Sequence, residues 1–119
     1  MLQEWKRVRQ RPDEGYRRWF KDERFDLIIW YQSGAIVGFQ LCYDTDTNER
    51  AITWYTTGSY VHAKVDDGEQ SFGTKGAPIL VSDGLFNAER VADEFREAAA
   101  EIDRGIADLV YDRLVGYTD

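Results

Sequence analysis

The residues best equipped to do chemistry are His62, Asp66, Asp67 and Glu69, gathered within one short stretch of the chain. An imidazole close to carboxylates can hold a divalent ion or pass a proton. The set is thin, because His62 is the one histidine and Cys42 the one cysteine, so no second nitrogen or sulfur ligand can join it. Val65-Asp-Asp-Gly68 also has the composition of an ordinary acidic turn. A solvated turn is therefore expected. His62, Asp66, Asp67 and Glu69 stand as a candidate surface, and no catalytic, cofactor-binding or metal-binding residue is assigned. Thr56, Ser59 and Cys42 supply nucleophilic atoms, but nothing in the sequence specifies a triad.

Two other stretches imitate known loops and then depart from them. Asp44-Thr-Asp46-Thr-Asn48 opens like a calcium loop, yet Glu49 stands where the sharp glycine turn belongs and Tyr55 where a bidentate Glu belongs. It is read as a hairpin turn. Gly68 to Lys75 has the glycine spacing of a phosphate-binding loop, but Thr74 precedes Lys75 where the motif needs the reverse order. Asp66, Asp67 and Glu69 would also repel phosphate, so nucleotide binding is rejected. The aromatics Trp30, Tyr31, Phe39, Tyr43, Trp54, Tyr55 and Tyr60 could line a pocket for a small apolar molecule, although such a set more often fills a core.

These residues need a scaffold, and the composition bounds it. A chain of 119 residues with 43% hydrophobic and 31% charged residues is of single-domain size and ordinary globular composition. Four Trp, seven Tyr and six Phe are enough bulk for a core without a disulfide or structural metal. The N-terminal residues Met1 to Lys6 lack the apolar run of a secretion signal, and no stretch is long enough to span a membrane. With one cysteine and therefore no internal disulfide, a cytoplasmic location is expected. Net charge is −7, which argues against general nucleic-acid binding. Residues 1–24 nevertheless carry eight Lys/Arg against five Asp/Glu, leaving seven against seventeen in the rest. The expectation is a basic, aromatic-containing arm that lies on its own acidic body.

Periodicity then places the elements. Residues 16–20 fit a strand or a helix, with the aromatic content favouring a strand. Phe25 to Tyr31, Ala35 to Tyr43, Arg50 to Thr57, Tyr60 to Val65 and Ile79 to Val81 read as strands separated by short turns. Asn87 and Asp103 are placed to cap two helices, whose apolar stripes are Val91, Phe95, Ala98, Ala99, Ile102 and then Ile106, Leu109, Val110, Leu114. The predicted fold is α+β: an antiparallel meander of about five strands over 25–82, with a helical pair over 87–115 packed on one face. Strand 25–31 is apolar on both faces, with Phe25, Leu27, Ile29 and Tyr31 opposite Ile28 and Trp30. Strand 35–43 repeats this, with Val37, Phe39, Leu41 and Tyr43 opposite Ile36 and Cys42. Something must cover both faces, and the candidates are the N-terminal arm, a second copy of the chain forming a homodimer, or a small apolar ligand.

Several segments taken together carry a resemblance. They are Arg17-Arg-Trp-Phe20, Phe25-Asp-Leu-Ile-Ile-Trp30, Gly38-Phe-Gln-Leu-Cys-Tyr-Asp44, Val65-Asp-Asp-Gly-Glu69, Pro78-Ile-Leu-Val81 with Asp83-Gly84, Glu101-Ile-Asp103 and Val110-Tyr-Asp-Arg-Leu114. Across nearly its whole length the chain resembles a group of short bacterial proteins of unknown function. The resemblance implies no activity, cofactor or catalytic residue. The functional expectation is a small non-catalytic binding or interaction module, and the alternative is a small enzyme or metal-dependent site around His62 and the 66–69 turn.

Overall fold

The computed structural model describes residues 1–5, 16–47, 49–66, 79–82 and 86–117, with the backbone alone for 64–66 and 79–82. Among these residues seven strands form one antiparallel sheet in sequential order: β1 (Gln3–Trp5), β2 (Tyr16–Lys21), β3 (Phe25–Gln32), β4 (Ala35–Tyr43), β5 (Arg50–Tyr55), β6 (Tyr60–Asp66) and β7 (Ile79–Ser82). Two helices follow, α1 (Ala88–Ala98) and α2 (Arg104–Val115). The α+β meander with a C-terminal helical pair is thus as the sequence predicts, but the sheet has seven strands rather than about five. The extra two come from the N-terminal region, where Tyr16–Lys21 pairs with β3 and the short Gln3–Trp5 pairs with β2.

Local chemistry explains the turns and caps. Ser33 and Gly34 both have positive φ, 51° and 82°, which matches the twist of a two-residue hairpin between β3 and β4. The Asn87 side chain accepts from the Arg90 amide, and Asp103 accepts from the amides of Gly105 and Ile106, so each helix starts at its expected cap.

Alternation along the strands sorts side chains between two faces. Phe20, Phe25, Leu27, Ile29, Phe39, Leu41, Tyr43, Ile52 and Trp54 are buried together with Val91, Phe95, Ile106, Val110 and Leu114 of the helices. Phe95 meets Phe25 edge to face, with centroids 6.1 Å apart. Two side chains, Ile36 and Val37, depart from the predicted alternation. A bulge between Trp30 and Tyr31 pairs Tyr31 with Ile36 and leaves Val37 over, which turns Ile36 toward the core instead of away from it.

Candidate functional site

Of the sequence-predicted surface, His62 is the residue whose side chain the structure describes. His62 is 6% exposed and lies on the helix-covered side of β6, opposite Ile52. The Tyr43 hydroxyl and His62 Nε2 are 2.5 Å apart, and the two rings are stacked 10° from parallel. Phe86, just before α1, and Tyr117, just after α2, close over the imidazole with centroids at 5.0 and 6.5 Å. Asp66 is four residues along β6, about 13 Å away at strand rise. Asp67 and Glu69 lie outside the described residues, as does Gly68 to Lys75. Among the described residues no group of three or more His, Cys, Asp or Glu side chains is arranged to hold a metal ion. His62 here is a hydrogen-bonded core residue in an aromatic cage.

Asp44 also has a structural occupation. Its carboxylate meets Arg90 at 2.9 Å and Arg24 at 3.3 Å, and Glu94 meets Arg24 at 2.7 Å and Arg90 at 2.9 Å. The network ties the starts of β3 and α1 to the turn after β4. A shallow cleft of about 270 Å³ beside it is lined by Met1, Asp22, Arg24, Glu94 and Glu97. The Met1 ammonium at its edge also pairs with Asp22 at 3.3 Å.

The face of the sheet turned away from the helices is chemically richer, and pair registers lay it out in three rows. The first runs Lys21, Asp26, Cys42, Ala51, Ala63 across β2 to β6. The second runs Trp5, Trp19, Ile28, Gln40, Thr53, Val61 across β1 to β6. The third runs Arg17, Trp30, Gly38, Tyr55 across β2 to β5. Trp5 stacks on Trp19 at 6.3 Å, and Trp30 stacks on Tyr55 at 5.8 Å over Gly38. Trp5 is 56% exposed, Tyr55 41% and Val61 48%, whereas Ala51, Thr53 and Ala63 at the centre are shielded.

Polar groups on this face satisfy one another laterally. Trp19 Nε1 donates to Asp26, Gln40 Nε2 donates to Thr53 Oγ1 at 3.1 Å, and the Lys21 ammonium lies 5.9 Å over the Trp5 ring. Burial, then the charge of Asp26, pushes the Glu49 carboxyl above its ordinary range. Burial, then Glu49 and Asp26, pushes the Cys42 thiol up to about 12. The arrangement has stacking surfaces and paired polar groups, but no activated nucleophile.

The single aromatic set suggested by the sequence, Trp30 and Tyr55 included, is divided by the structure. Phe39, Tyr43 and Trp54 are core, while Trp30 and Tyr55 belong to the helix-free face. Trp5 and Trp19 were not in it. The signal for Trp19 was its place among Arg17, Arg18 and Lys21, a pattern that gives a strand one basic and one aromatic side chain per turn of the pleat. No protein-family model matches the chain, and neither curated proteins nor solved structures give a significant match. No helix among the described residues is long and apolar enough to cross a membrane.

Proposed function

We propose that the chain is a small non-catalytic binding or interaction module of the cytoplasm, working through the helix-free face of its sheet. The observation that carries this reading is the exposure of Trp5, Tyr55 and Val61 on a face whose polar groups are already paired. Exposed large apolar side chains cost solubility and contribute little to folding, so the presence of Trp5, Tyr55 and Val61 on this face argues for contact with a partner. Arg17 and Lys21 balance Asp26 and Glu49 there, and the whole chain carries −7, so the partner surface is uncharged rather than a polyanion.

The opposing reading, a metal-dependent or enzymatic site around His62 and the 66–69 turn, makes a different prediction. A metal bound only by the folded state would raise stability by about 2.7 kcal/mol at a hundredfold excess over its dissociation constant. We expect Zn²⁺, Mn²⁺, Ca²⁺ and Mg²⁺ to leave the melting temperature unchanged. A saturable rise that disappears in His62→Ala would overturn the binding-module reading.

A further inference from the structure

We draw no further inference here: the strongest candidate, a second copy of the chain seated on the helix-free sheet face between Trp5 and Tyr55, carries nothing because the centre of that face at Ala51, Thr53 and Ala63 is already shielded and nothing in the structure shows what covers it.

Discussion

Trp30 and Tyr55 stack on each other across Gly38, their planes 7° from parallel. The three residues are successive partners on β3, β4 and β5, so the two rings reach toward each other over the strand that separates them. A Cβ at position 38 would lie 2.6 Å from the Trp54 carbonyl oxygen, 3.1 Å from Tyr55 Cδ1 and 3.3 Å from Trp30 Cε3. Side chains can swing aside, but a backbone carbonyl in the neighbouring strand moves only if the ladder opens.

Gly38→Ala is therefore expected to destabilise the protein by about 1–3 kcal/mol, as overpacking does. The reduced entropy of the unfolded chain works the other way by about 0.4–1 kcal/mol, and the steric effect should win. Urea unfolding measures the balance. A loss under about 0.5 kcal/mol would show that β4 and β5 separate freely and that the glycine is not needed for the stack.

Where the sequence was readable, the local pattern and the tertiary environment agreed. β3 and β4 are apolar on both faces, and Asn87 and Asp103 are caps followed by amphipathic stripes, so each element announced itself. β1 did not, because Gln3-Glu-Trp5 has no apolar run and is a strand through its pairing with β2. The bulge that redirects Ile36 leaves no mark on a two-residue period. His62 was the most conspicuous chemical residue in the chain, yet its role depends on Phe86 and Tyr117, which only the helices bring to it. The helix-free face was half legible. Its apolar character could be read along β3 and β4, whereas the stacking partners Trp5 and Trp19 meet through β1–β2 pairing.

Asp44 should make stability depend on acid. Burial alone would raise its pKa, but hydrogen bonds and charge from Arg90 and then Arg24 outweigh burial and hold it below the ordinary 3.8. A folded-state pKa below the unfolded one stabilises the protein above the ordinary Asp value, and the gain is lost as pH falls through the folded value. Asp44 also sits at φ 53°, a left-handed conformation that Asn tolerates equally, so Asp44→Asn removes the charge without new backbone strain. The variant is expected to be about 1 kcal/mol less stable at neutral pH. Denaturant titrations should show the gap narrowing as pH drops below about 4. A gap that does not change with pH would mean the arginine contacts are not the cause.

Cys42 should be chemically quiet. It is on the helix-free face, but burial with Glu49 and Asp26 beside it leaves almost no thiolate at neutral pH. A maleimide reagent is expected to label it slowly in the native state and rapidly in denaturant. Fast stoichiometric labelling of the folded protein would instead mean that the thiol is open to solvent and that this part of the face is reactive.

The four tryptophans give the most direct test of where this protein binds. Trp5, Trp19 and Trp30 belong to the helix-free face, while Trp54 is buried under α2 with the Arg113 guanidinium 4.9 Å from its ring centre. Each indole N–H gives a separate signal in a nitrogen-correlated NMR spectrum, so Trp54 serves as an internal control. The measurement is a titration of the folded protein with a panel of uncharged aromatic and aliphatic fragments. Binding through the helix-free face predicts saturable shifts at Trp5, Trp19 and Trp30 with Trp54 unmoved. Saturable shifts at Trp54 or the His62 ring with the other three silent, or no response at any of the four, would contradict it.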